Sequence, residues 1–139
     1  MTVLSCNNLD VRIAGIRVVD GLNLDIRPGE FWGLLGPNGI GKTTLLMCLA
    51  GLNEPASGAV KLESREISEL PRKMLARHVG MLQQHTVYVF DSSVIQTALT
   101  GRHPHLGYWE RESAEDLKTA HDALEAVDLS GFASRSVTG

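Results

Sequence analysis

At 139 residues the chain is close to the modal size of a single domain and long enough to bury a core of its own. Its hydrophobic content of 43% is that of a soluble globular protein, and its net charge of −3 argues against a nucleic-acid partner, which would call for basic patches to neutralise phosphates. Cys6 and Cys48 lack metal-ligand spacing, and glycines, Lys42 and polar residues interrupt the longest apolar stretch well before it could span a bilayer.

The N-terminal stretch, Met1 to Cys6, has no basic region and no adequate apolar segment, so it is not expected to be a secretory signal and the protein is expected in the cytoplasm. Residues 3–35 carry short strand-like pieces, including the alternation Leu22, Leu24, Ile26, with Asp20-Gly21 and Pro28-Gly29 as turns. Phe31 to Leu35 reads as an apolar strand and Thr44 to Leu52 as a helix, on which Cys48 is expected to be a small core residue. Ala59 to Leu62 is another short strand. Pro71 suits the first turn of a short helix to about Arg77, and Val79 to Leu82 reads as a buried strand. Ser92 or Ser93 can cap a helix through about Thr100, and Ser113 a longer one to about Val127.

Between the expected strand and helix, Gly36-Pro37-Asn38-Gly39-Ile40-Gly41-Lys42-Thr43 fits the pattern G-x-x-x-x-G-K-[ST], followed by Thr44. The chemistry requires these residue types. Glycines let backbone N–H groups turn inward around a polyphosphate, and Lys42 reaches the outer phosphates. The Thr43 hydroxyl can hold Mg²⁺ at a helix N-terminus whose dipole favours anions.

Together with Leu22 to Glu30 before the loop and Pro55-Ala56-Ser57-Gly58 after its helix, this chain resembles the ATP-binding cassette ATPases. Leu75 to His85 resembles the segment of that family ending in the Q-loop glutamine, assigned here to Gln84. The Gly101-Arg102-His103-Pro104-His105 stretch is similar to ATPase subunits of bacterial importers for iron-siderophore complexes, haem and cobalamin. The resemblance implies an α/β P-loop fold: an N-terminal antiparallel β subdomain, an incomplete parallel core sheet and the start of a helical subdomain. Residues 1–91 would be the nucleotide-binding core and 92–139 the first part of the helical subdomain. It implies ATP and Mg²⁺ as cofactors, with Gly36 to Thr44 binding phosphates, Thr43 and Gln84 serving the metal, and Lys42 and Gln84 as the catalytic contributors. Relatives usually carry an aromatic residue that stacks on adenine; the best match here is Ile13, which should hold the base less well. Implied partners are membrane permease subunits and a second ATPase subunit, at the cytoplasmic face of the inner membrane.

The family's signature, Walker B strand with its glutamate, D-loop and switch histidine are not found in these residues, so the chain is expected to be a truncated form and inactive alone. In the family, Phe31–Leu35 and Val79–Leu82 pair with strands from the later half. Two other readings stay open: a nucleotide-binding remnant without turnover, and a soluble cassette protein unconnected with transport.

Other conspicuous residues have plainer expectations. His103 and His105 are too few ligands for a closed metal site and belong to a loop or interface. His78, His85 and His121 stand singly. Tyr108 and Trp109 are either a partner-binding patch or a loop tucked under the following helix. Glu110, Arg111, Glu112, Glu115, Asp116 and Lys118 read as a solvated helix face, and Arg12, Arg17 and Arg27 as surface residues.

Overall fold

A computed structural model describes residues 3–84 and 91–138, and the chain divides into two compact units, Met1–Met81 and Leu82–Gly139. His85 lies outside the described residues.

The first unit is built on a four-stranded sheet of order β2-β1-β3-β4, every pairing antiparallel. β1 (Leu4–Ile13) is its centre, with β2 (Ile16–Ile26) on one side and β3 (Ser57–Leu62) on the other. β1 and β2 form a hairpin closed by Ala14 and Gly15, both at positive φ, the geometry that matches the twist of the flanking strands. β4 (Arg65–Glu66) turns back on β3 through Glu63 and Ser64, again both at positive φ.

β1 does not alternate cleanly. Cys6, Leu9 and Val11 are its fully buried side chains, which an unbroken strand could not place on one face. A bulge at Asn7-Asn8 shifts the parity by one residue. Asn8 takes the left-handed conformation, and its N–H donates to Asn23 Oδ1 at 2.9 Å. Gly58 is the matching device on β3: at φ +81, any Cβ there would overlap the carbonyl oxygens of Asn7 and Asn8. Over the face so arranged lies α1 (Lys42–Leu49), whose Leu45, Cys48 and Leu49 join Cys6, Leu9, Val11 and Val60 in the main core. A smaller cluster of Leu62, Leu70 and Leu75 packs α2 (Arg72–His78) onto the sheet.

The second unit holds α3 (Val94–Thr100) and α4 (Ala114–Ala126). Both begin at reciprocal capping boxes: Ser93 with Gln96, and Ser113 with Asp116. Residues 133–137 run beside the start of α3, with Val94 N–H donating to Arg135 O and Val137 N–H to Ser92 O.

Three expectations are corrected. Phe31 to Leu35 is not a strand, because no described residue pairs with its backbone; Phe31 is 102% and Leu35 94% exposed. Val79 to Leu82 is not a strand either, for want of a ladder partner among the described residues, and Leu82 is 97% exposed. Asp116 is no solvated residue: it is buried, with Oδ1 taking the Arg102 Nε–H at 2.7 Å and Oδ2 taking the Ser113 backbone N–H at 3.0 Å. Three donors converge on it: the Ser113 N–H, the Arg102 guanidinium and the Ser113 hydroxyl. They hold its carboxyl well below the usual carboxylate range.

Candidate functional site

The approach to the phosphate loop is a turn held by its own carboxylate. Glu30 Oε2 accepts from Arg27 N–H at 2.9 Å and from the Trp32 indole N–H at 3.0 Å, and these donors lower the Glu30 pKa. Phe31 to Leu35 leads from that turn to Gly36. The loop itself then bends through Pro37 and Ile40, joined by an Ile40 N–H to Pro37 O bond of 3.4 Å.

Gly41 seats the end of the loop. At φ +105 it stands against β2, where a Cβ would come within 2.8 Å of Val18 Cγ2. Only a residue without a side chain brings the start of α1 so close to the sheet. Gly41 is also the N-cap residue of α1, so no side chain satisfies the first N–H groups of the helix, and its first turn carries no acidic residue. Unpartnered donors, a favourable dipole and no competing carboxylate make this end receptive to an anion.

Lys42 completes the ring. Its ammonium donates to the carbonyls of Gly36 at 2.7 Å and Pro37 at 2.8 Å, folding the side chain back across the loop. These neutral acceptors leave the positive charge uncompensated by any ion pair among the described residues. The Thr43 hydroxyl is exposed and makes no hydrogen bond among the described residues. The donor set fits a polyphosphate with its divalent cation: Lys42 and the helix N–H groups for phosphate oxygens, Thr43 for the metal.

Of the other candidate residues, Ile13 ends β1, 38% exposed and paired across the hairpin with Ile16. Ile16 lies two residues from Val18, the neighbour of Gly41, so roughly 7 Å of strand separates the Ile13 pair from the loop end. Gln84 is exposed and belongs to the second unit. His103 Nε2 stands 3.8 Å from Glu112 Oε1. Tyr108 and Trp109 are 90% and 94% exposed and meet edge to face at 6.0 Å, so they are not tucked beneath α4. No helix among the described residues is long and apolar enough to cross a membrane.

Two structural contacts have no local signature in the sequence. Val18 carries no motif and becomes visible only through its contact with Gly41. Arg102 and Asp116 stood 14 residues apart with no pattern joining them, although Ser113-x-x-Asp116 by itself has capping-box spacing.

Residues 19–139 match the family model described as ABC transporter. The chain belongs to that family. It is 40% identical over 134 residues to a hemin import ATP-binding protein, HmuV, of Pseudomonas aeruginosa, covering 96% of this chain and 51% of the relative. It is 38% identical over 125 residues to a phosphonates import ATP-binding protein, PhnC, of Alcaligenes faecalis, covering 85% of this chain and 45% of the relative. A nucleotide-free ATP-binding cassette from an ABC transporter superposes with a TM-score of 0.74 at 21% identity, over 97% of this chain and 57% of that one, which shows the fold. The chain thus spans about half the length of the curated relatives it matches.

Proposed function

We propose that this chain is the nucleotide-binding part of an ABC importer's ATP-binding subunit, taking Mg-ATP at Gly36 to Thr44. One observation carries the reading: the Lys42 ammonium lies across the loop on two backbone carbonyls, at the mouth of a helix whose first turn holds no acid. A group so placed is ready to exchange two neutral acceptors for charged phosphate oxygens, which bind it more strongly. Magnesium, when bound, would offset the negative charge of the phosphates. Thr43 supplies one oxygen ligand to it, Gly39 and Gly41 keep the loop backbone close to the phosphates, and Ile13 borders the position of the base. Gln84 is assigned to the metal and the attacking water, linking nucleotide state to a membrane permease at the cytoplasmic face of the inner membrane. A second ATPase subunit is the other partner.

The Gly101 to His105 stretch supports an iron-siderophore, haem or cobalamin-type substrate, and so does the recurrence of hemin, siderophore and cobalamin import proteins among the relatives at 33 to 40% identity. The 139 residues alone are expected to bind nucleotide without turnover, since Lys42 and Thr43 position phosphates and no signature, Walker B glutamate or switch histidine is found among them.

Calorimetry of Mg-ATP binding tests the site. Lys42→Ala removes two charge-assisted contacts of about 1.5 kcal/mol or more each, so affinity should fall by at least about a hundredfold. Equal affinity in the two proteins would overturn the assignment.

A further inference from the structure

Asn38-Gly39 is the one Asn-Gly pair in the sequence, and it lies inside the phosphate-loop pattern. An asparagine followed by glycine can be attacked by its own backbone. The glycine nitrogen is one five-membered ring away from the side-chain amide carbon, and a reaction so tethered needs no encounter between separate molecules. Glycine matters because a side chain on the attacking residue would crowd the ring as it closes.

Whether such a pair reacts depends on how the fold holds its atoms. Asn38 and Gly39 are both exposed, at the centre of the turn closed by Ile40 N–H on Pro37 O, and a Cβ built on Gly39 would meet nothing within 4 Å. Neither the Gly39 N–H nor the Asn38 side-chain amide has a hydrogen-bond partner among the described residues. The attacking nitrogen is therefore unhindered and unoccupied. Lys42 adds its charge: its ammonium donates to Pro37 O at 2.8 Å, one residue before Asn38, and a cation there favours the anions that form on the glycine nitrogen and the attacked carbonyl oxygen. Asp20-Gly21 in β2 is the contrasting case. It could close the same ring, but the Gly21 N–H is held by Asp10 Oδ1 at 2.7 Å, and a Cβ at Gly21 would meet Asn8 Oδ1 at 3.3 Å.

We propose that Asn38 is a self-modification site, at which loss of ammonia switches off the phosphate loop. The Gly39 nitrogen, having given up its proton, bonds to Asn38 Cγ. The Cγ–Nδ2 bond breaks and ammonia leaves with a proton in place of the one lost, giving a cyclic imide. Water then opens the ring: cleavage between Cγ and the Gly39 nitrogen leaves aspartate, and cleavage between the Asn38 backbone carbonyl and that nitrogen leaves isoaspartate, whose main chain runs through an extra methylene. Either product sets a carboxylate among groups arranged for phosphate oxygens, where it occupies Lys42 and repels the ligand. That consequence rests on the nucleotide reading, whereas the modification itself does not. Bound Mg-ATP protects the pair, because a loop N–H turned onto a phosphate no longer attacks.

The test incubates the 139-residue chain without nucleotide in mildly alkaline buffer, folded and in parallel unfolded in urea, and maps both by peptide mass spectrometry. In the folded chain position 38 should convert to aspartate and isoaspartate at least about tenfold faster than Asn7, Asn8, Asn23 or Asn53, none of which precedes a glycine, and Asp20 should not isomerise. Unfolding should release Asp20 as well. Asn38→Gln, which would have to close a six-membered ring, should stay unmodified, and its Mg-ATP affinity should be the same before and after incubation. The unsubstituted chain should lose at least about tenfold in affinity once converted, and Mg-ATP present during incubation should slow the conversion. Conversion of Asn38 only in urea, or no faster than that of the other asparagines, overturns the proposal. So does a converted chain that binds Mg-ATP as tightly as a fresh one. A fresh chain that binds no Mg-ATP sinks the nucleotide reading instead, and the peptide map of the folded chain still decides whether Asn38 modifies itself.

Discussion

β1 and the Phe31–Leu35 segment both carry large apolar side chains, yet they meet opposite fates. Leu9 and Val11 of β1 are 0% and 1% exposed, whereas Phe31 and Leu35 are 102% and 94% exposed. Composition alone would predict the reverse, since β1 carries Asp10 and Arg12 and residues 31–35 carry no charge. β1 finds β2 one tight turn away and β3 across the following helix, and α1 lies over its inner face. Phe31–Leu35 finds no ladder among the described residues. Apolar side chains favour burial, but only neighbours that satisfy the backbone alongside them allow a strand to form.

The largest test of that contrast is a matched truncation. Leu9→Ala should cost about 2 to 5 kcal/mol in denaturant unfolding, because it opens a hole between β1 and α1. Leu35→Ala should change stability by less than about 0.5 kcal/mol. Comparable losses in the two variants would mean that residues 31–35 are packed in solution.

A second pair uses backbone shape. Gly58→Ala should destabilise by more than about 1 kcal/mol, since its Cβ meets the bulge carbonyls at a positive φ. Gly33→Ala, with open space around it, should be neutral within about 0.5 kcal/mol. Thermal melts of the two variants side by side decide the matter.

The helical unit offers a smaller effect with a pH signature. Ser113→Ala should cost about 1 kcal/mol by removing the cap of α4. The Asp116 carboxyl is held low by the Ser113 N–H, then by Arg102 and the Ser113 hydroxyl, so its ionised form is favoured in the folded chain. Its contribution is therefore complete above the ordinary carboxylate pKa of about 3.9 and is lost as pH falls toward the depressed value. Asp116→Asn should flatten that acid limb in melts of the helical unit. An unchanged acid limb would show that another carboxylate sets it.

The smallest expected effect concerns an exposed apolar residue on the sheet side. Ile13→Tyr should tighten Mg-ATP by about fivefold and leave inorganic triphosphate unchanged, because only the base gains a ring to stack on. Equal gains for both ligands would remove Ile13 from the base platform and make its exposure a mere end-of-hairpin feature.

Legibility followed the range of the interaction. The α3 and α4 caps at Ser93 and Ser113 were readable because a capping box lies within four residues. The phosphate loop was readable for the same reason, its spacing being a local demand of backbone shape. The Arg102–Asp116 pair was hidden because 14 residues separate its members, and the Asn8 bulge because it answers to Gly58 on another strand.

By itself, then, the sequence determined where α4 starts, where the loop bends, and that Lys42 and Thr43 stand at a helix N-terminus, since each depends on residues a few positions apart. Only the tertiary structure decided that Leu9 shares a face with Cys6, that Asp116 is buried, and that Phe31 to Leu35 is bare. Those outcomes depend on which distant groups arrive to fill hydrogen bonds and cover apolar area, and a run of residues does not carry its neighbours' addresses.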